Sequence, residues 1–254
     1  MNEPAISVEG LGKRFRRNRH QSSLGAALNE VWRAPLRFVR GGLDTGHLWA
    51  LRDVSFELRH GESLALVGAN GAGKSVLLKL LARVTKPTAG QARVRGHIGS
   101  MLEAGAGFHP DLSGYENIFL GGALLGMQPA AIRRQFDEIV AFSGVADALH
   151  TPVKHYSSGM RTRLAFAVAA HLDTQILLVD EVLAVADDAF RARCIARLKQ
   201  AAVSGKTIIL VSHDQDILQR VCQRALWIED GRIGMDGPVR EVLTAYLGAR
   251  RPEA

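Results

Sequence analysis

One run of residues carries the plainest chemistry in this chain: Gly68, Ala69, Asn70, Gly71, Ala72, Gly73, Lys74 and Ser75 fit the pattern G-x-x-x-x-G-K-[ST]. Its glycines let the backbone curl until successive N–H groups converge on one point, and a phosphate is what such a point holds. Lys74 would bring a full positive charge to the outer phosphates, and the Ser75 hydroxyl would ligate a magnesium ion bridging them. Context makes the pattern specific: residues 63–67 before it read as a buried strand, and residues 76–81 after it as a helix beginning near Gly73. The positive end of that helix would complete the cradle for a nucleotide.

Two more patterns serve the same chemistry. The apolar run 175–179 ends in Asp180-Glu181. There Asp180 would hold magnesium through its water shell, and Glu181 would accept the proton of the water attacking the γ-phosphate. His213 follows the apolar run 207–211, and a parallel sheet would bring it to the rim that carries Asp180, in reach of that phosphate. Tyr156-Ser157-Ser158-Gly159-Met160 leads into a long apolar helix expected over residues 161–170.

These residues need a scaffold. Short strands are expected at 5–8, 51–58 and 91–94, with Phe15 in the basic run after the first. Buried strands alternate with helices from residue 63 onward, which implies a parallel sheet covered on both faces. Residues 97–110 are glycine-rich and read as irregular, while 112–143 has helical periodicity with Pro129 suited to a helix start. A helix over 188–202, a hairpin over 225–236 turning at Asp230-Gly231, and a last helix over 239–247 complete the chain. Residues 18–47 look inserted: Leu24, Leu28, Val31 and Trp32 recur at helical spacing ahead of Pro35.

Bulk properties narrow the class. The 254 residues are 47% hydrophobic and 22% charged, the balance of a folded globule. No apolar run approaches the roughly 18 residues of a membrane-spanning helix. The start, Met1-Asn2-Glu3-Pro4, lacks the features of a signal peptide, so a cytoplasmic protein with reduced cysteines is expected. The net charge of +7 would suit an anionic membrane face or nucleic acid.

Taken together these motifs resemble the nucleotide-binding subunits of ABC transporters over nearly the whole length. The loop from Gly68 to Ser75, with Val76 after it, matches Walker A, 176–181 matches Walker B with its catalytic glutamate, and His213 matches the switch histidine. Tyr156 to Met160 stands where the signature Leu-Ser-Gly-Gly-Gln belongs, with Ser158 and Met160 as departures, and Asp187 stands at the D-loop aspartate. Phe15 falls at the position whose ring stacks on adenine, with Trp49 as a rival; Glu103 stands where most relatives have the Q-loop glutamine. As an acceptor Glu103 can still ligate magnesium or water, but it cannot donate a hydrogen bond.

The resemblance implies an α/β P-loop core with an antiparallel β part and an inserted helical subdomain. As one domain over 1–254, it would divide into a core of 1–96 plus 166–254 and a helical part of 97–165. It also implies a head-to-tail homodimer with ATP and magnesium between the copies, where Ser157, Ser158 and Gly159 meet the γ-phosphate held by the partner's loop. Glu103 with 101–110, the run 112–118, the run 181–187 and the insert resemble the branch that exports O-antigens, capsules and teichoic acids. In that branch the 18–47 helix lies near the membrane, and lipid-linked polymer passes through a separate permease present in two copies. The expected place is the cytoplasmic face of the membrane, with no nucleic-acid partner and no carbohydrate-binding domain after the core. An exporter ATPase for lipid or drug is the alternative reading, and a non-transport ABC protein acting on nucleic acid or ribosomes is a more distant one.

Overall fold

The computed structural model describes residues 3–16, 47–101, 107–180 and 187–250. In chain order its strands are β1 (Ile6–Arg16), β2 (His47–Leu58), β3 (Ser63–Val67), β4 (Ala89–Val94), β5 (Ile98–Ser100), β6 (Ile176–Asp180), β7 (Thr207–Val211), β8 (Arg224–Glu229) and β9 (Arg232–Pro238). Its helices are α1 (Lys74–Leu81), α2 (Gly114–Leu124), α3 (Pro129–Ser143), α4 (Ser158–Ala170), α5 (Asp188–Val203), α6 (Gln215–Val221) and α7 (Val239–Arg250). Among the described residues the strands form an antiparallel sheet in the order β2-β1-β4 and a larger one in the order β5-β6-β7-β3-β8-β9. The larger sheet is parallel apart from the β8–β9 hairpin.

Strand alternation divides the core into two layers. Ala65, Val67, Leu177, Val179, Ile208 and Leu210 pack on one face of the large sheet, with helices α4 to α7 and the helical lobe. Their neighbours Leu64, Leu66, Ile176, Leu178, Ile209 and Val211 pack on the other, with α1 and the antiparallel sheet. Successive side chains of a strand point to opposite faces, so a strand apolar at every position must be covered on both. β3 and β7 meet that condition, being buried along their whole length.

The lobe of α2, α3 and α4 is seated by aromatic contact. Phe142 of α3 stacks on Phe166 of α4 with centroids 6.1 Å apart, and both meet Phe190 of α5 edge-on at 5.5 and 5.8 Å. Offset and edge-to-face rings are favourable beyond the area they bury. The Asp230-Gly231 turn of the β8–β9 hairpin has positive φ at both residues, 47° and 75°. A β-carbon on Gly231 would stand 2.8 Å from the Ala50 carbonyl oxygen, and the Arg52 N–H donates to the Gly231 carbonyl at 2.8 Å. The hairpin tip therefore braces β2.

Several expectations need correction. Residues 98–100, read as irregular, are β5, which pairs in parallel with β6 from Ile98↔Ile176 to Ser100↔Leu178. Its glycine and its brevity hid it, since three residues carry no period. The helical part expected over 97–165 thus begins with a strand of the sheet, and its far boundary falls inside α4, whose Leu164 to Ala169 lie in the core. β2 starts at His47 rather than 51, and β1 continues through Phe15. α6 was not anticipated; it is a seven-residue helix started by Asp214, whose carboxylate accepts from the Asp216 and Ile217 N–H groups at 2.8 and 3.3 Å. The helix expected over 18–47 lies outside the described residues, except for His47. Among the described residues no helix is long and apolar enough to cross a membrane.

Burial also settles the state of the cysteines. Desolvation pushes both the Cys194 and the Cys222 thiol up to about 12, because a thiolate is disfavoured away from water. A thiolate-selective reagent at about pH 8 should therefore modify neither in the folded protein and both in denaturant; rapid labelling of the native chain would contradict this packing.

Candidate nucleotide site

The loop between β3 and α1 is shaped by the lack of room around it. A β-carbon on Gly68 would lie 2.3 Å from the Ile228 carbonyl oxygen of β8. One on Gly73 would lie 2.5 Å from the Ala50 carbonyl oxygen and 2.7 Å from Leu51 Cδ2 of β2. Gly73 is also the N-cap of α1 with φ 108°, a conformation that L side chains rarely adopt. The loop is thus pinched between β8 and β2, and only glycine fits at either contact.

Lys74 is buried at the root of this loop. Its ammonium donates to the carbonyls of Gly68 and Ala69 at 2.8 and 3.0 Å, so the charge stays among the loop's backbone groups. A cavity of about 230 Å³ is lined by Ala50, Asn70, Gly71, Gly73, Lys74, Ser75 and Val76. The first turn of α1 contains no acidic residue, so nothing there offsets the positive helix end. A glycine cradle, a helix N-terminus and a lysine fit a polyphosphate.

Register brings the other groups to the same rim. Val211 pairs with both Leu66 of β3 and Asp180 of β6, so the C-terminal ends of β6, β7 and β3 lie side by side. A second, small cavity is lined by Gly68 and Lys74 together with Ser212 and His213. The structure therefore brings Asp180, His213 and the loop together, as the apolar strands implied. Glu181 and Glu103 lie outside the described residues.

Oxygen donors on this rim suit magnesium. Ser75 offers a hydroxyl and Asp180 a carboxylate, and among the described residues no three His, Cys, Asp or Glu side chains converge as a metal site. An ion here would take its remaining ligands from phosphate oxygens and water, which is the habit of magnesium.

The rim of the antiparallel sheet separates Phe15 from Trp49. Lys13 pairs with Leu51, Arg14 with Trp49 and Phe15 with Leu48, and the register shift leaves Ala50 as the extra residue. The Trp49 ring lies 5.8 Å from the Arg14 guanidinium and 3.0 Å from where a Gly12 β-carbon would stand, so it shares the face of residues 12 and 14. Phe15 lies under the Lys13 ammonium at 5.2 Å. Lys13 and its partner Leu51 share the face that packs against Gly73. Phe15 thus stands on the side of the sheet that carries the phosphate loop, and Trp49 on the other.

The segment 156–160 is the capped start of a helix. Ser157 is the N-cap of α4 and its Oγ accepts from the Met160 N–H at 3.1 Å, with no acidic residue in the first turn. Ser157 and Ser158 are exposed and Gly159 half-buried. Tyr156 is the anchor beneath them: its hydroxyl donates to the Ala148 carbonyl at 2.7 Å, and burial pushes it up. Asp187 is the N-cap of α5, accepting from the Phe190 N–H at 2.8 Å and meeting Arg163 of α4 at 3.4 Å. The Phe190 N–H, and after it Arg163, hold the Asp187 carboxyl below the usual range.

Two features escaped the sequence reading. Asn117 is fully buried, and its side chain accepts from the His109 N–H at 2.8 Å and donates to the carbonyls of His109, Leu112 and Ser113. It fastens the loop ahead of α2. A lone asparagine gives no such signal, but Ser113 and Glu116 do, since S-x-x-E is a capping box and both of its bonds are present. The other is the ion pair of Arg191 with Asp214, which no sequence spacing could indicate.

Comparison with known proteins agrees with this geometry. The chain is 40% identical over 96% of its length to an O-antigen export system ATP-binding protein of Myxococcus xanthus, of which it spans 56%. It is 37% identical to a protein of the same description from Klebsiella pneumoniae, spanning 97% of this chain and 99% of that one. A teichoic acids export ATP-binding protein of Listeria innocua is 38% identical over 78% of this chain and 59% of its own. Among solved structures, the ATP binding subunit of an ABC transporter superposes with TM-score 0.73 at 20% identity, over 98% of this chain and 95% of that one. A dimeric ATP-binding cassette in a post-hydrolysis state with ADP and Pi gives 0.71 at 19% identity, over 92% of this chain and 99% of that one. Residues 51–184 match the ABC transporter family, and with a phosphate loop, a strand-end aspartate and a histidine on one rim, this chain belongs to it.

Proposed function

We propose that this chain is the ATP-hydrolysing subunit of an exporter of lipid-linked polysaccharide, acting as a homodimer on a separate membrane permease at the cytoplasmic face. The observation that carries the reading is the common rim of β3, β6 and β7, where the Gly68–Ser75 loop, Asp180 and His213 stand on neighbouring strands. The cargo is inferred from the relatives named for O-antigen and teichoic acid export.

In this reading the backbone N–H groups from Ala69 to Val76 hold the β-phosphate and Lys74 turns its ammonium from the loop carbonyls to the γ-phosphate. Phe15 stacks on adenine, being the aromatic residue on the loop's side of the sheet. Ser75 and Asp180 would hold a magnesium ion, with Glu103 a further candidate ligand, and the ion would supply charge neutralisation between the phosphates. Glu181 accepts the proton of the attacking water and His213 steadies the γ-phosphate.

The second copy completes the site. The exposed N-terminus of its α4, with Ser157, Ser158 and Gly159, meets the γ-phosphate through the positive helix end, and Asp187 belongs to the same interface. Losing that phosphate removes the group both copies grip, so hydrolysis opens the pair. The opening is the stroke passed to the permease.

Glu181→Gln should bind ATP with wild-type affinity, hydrolyse it at least about a hundredfold more slowly and accumulate as an ATP-bound dimer by light scattering. A strictly monomeric variant under ATP would refute the dimer. Phe15→Ala should raise the KM for ATP about tenfold, the worth of one ring–base stack, while Trp49→Ala leaves it near wild type; the reverse order would exchange their roles. Cells lacking the chain should lose surface polysaccharide and retain lipid-linked polymer inside, with rescue by wild type and none by Lys74→Ala. Unchanged surface polymer would remove the cargo assignment.

A further inference from the structure

Helix α5 joins two parts of the site that the sequence places far apart. At its start, the Asp187 carboxylate receives the Phe190 N–H at 2.8 Å and Arg163 of the signature helix at 3.4 Å. The Arg191 N–H donates to the Asp187 carbonyl at 2.9 Å, and its guanidinium pairs with Asp214. Asp214 follows His213 directly. Its N–H donates to Ser212 Oγ at 3.0 Å, and its carboxylate caps α6. The residues on either side of His213 are thereby tied to each other and, through Arg191, to α5.

The tether is firmly based. Phe190, Cys194 and Leu198 bury one side of α5 in the core, so Arg191 projects from a fixed helix. Arg191 and Asp214 are 36% and 26% exposed, sheltered enough that the pair is only partly screened by solvent. His213 itself is exposed. The bonds that Ser212 and Asp214 make hold the backbone on either side of it.

We propose that Arg191 and Asp214 are positioning residues for His213, and that α5 makes the place of this imidazole depend on the place of the signature helix α4 through Arg163 and Asp187. The inference rests on the reading of His213 as the group that meets the γ-phosphate. Because α4 faces the nucleotide of the other copy in that reading, the tether lets the engagement of one site set the histidine of the other.

Asp214→Asn separates the tether from the cap, since asparagine caps a helix as well as aspartate does but carries no charge for Arg191. In the full chain with ATP and magnesium, Asp214→Asn and Arg191→Ala should each lower kcat about tenfold with KM for ATP within about twofold. Arg191→Lys should recover most of the rate. The double variant should be no slower than the slower single one, because both remove the same contact. Wild-type kcat in Asp214→Asn, a shift in KM alone, or a double variant slowed by the product of the single effects would overturn the proposal.

A second readout does not need turnover. The side-chain resonance of His213 in isotope-labelled protein, identified by its loss in His213→Gln, should move and broaden alike in Asp214→Asn and Arg191→Ala. A resonance left in place by both would overturn the tether. Were the wild type as inactive as Lys74→Ala, the ATPase reading would fall, while the resonance would still judge the tether.

Discussion

The structure turns on a close approach of backbones. The Gly68–Ser75 loop passes between the Ile228 carbonyl of β8 and the Ala50 carbonyl of β2 with no space for a β-carbon at Gly68 or Gly73. Those contacts fix the loop between the two sheets and aim α1 from its N-terminus. The rest of the chain supports this arrangement. β2 is braced by the Asp230-Gly231 turn, β8 is held in parallel register by β3, and the two layers of the core cover both faces of the buried strands β3 and β7. A phosphate cradle made of backbone N–H groups costs little reorganisation when the backbone has no other conformation open to it.

A second level of organisation comes from helix starts. Ser157, Asp187 and Asp214 each cap a helix. Capping sets the direction of the following helix and at the same time holds its own residue at the rim. The three starts are linked in turn, α4 to α5 by Arg163–Asp187 and α5 to the β7–α6 turn by Arg191–Asp214. The aromatic contact of Phe142, Phe166 and Phe190 ties the helical lobe to the same helix. α5 is thus the element on which the lobe, Asp187 and the turn that carries His213 all bear.

Much of this was legible in the residues. Apolar runs that must be buried on both faces read as parallel strands, and β3 and β7 have the bounds expected of them. Pro129 opens α3 and Asp230-Gly231 turns the hairpin, because proline and glycine restrict the backbone locally whatever surrounds them. Short elements were lost. β5 has three residues and α6 seven, too few for a period to stand out, and both exist because a neighbour supplies the partner: β6 for β5, Asp214 and the packed Ile217 and Leu218 for α6. The sequence places Phe15 at the adenine position with Trp49 as a rival, but that the two rings lie on opposite faces of the sheet follows from a register shift at Ala50, which no spacing shows.

The sequence by itself determined the nature of the chemistry: a glycine loop with lysine and serine, a strand-end aspartate and a histidine, each defined by residue type and by the strand or helix beside it. Those signals are local, because phosphate binding needs particular backbone freedom and particular side-chain atoms. Only the tertiary structure decided which groups meet. Strand order put β7 between β6 and β3, so that Asp180, His213 and Lys74 share a rim, and α5 brought Arg191 to Asp214. Such meetings are set by packing between elements distant in the chain, and no spacing along one strand or helix encodes them.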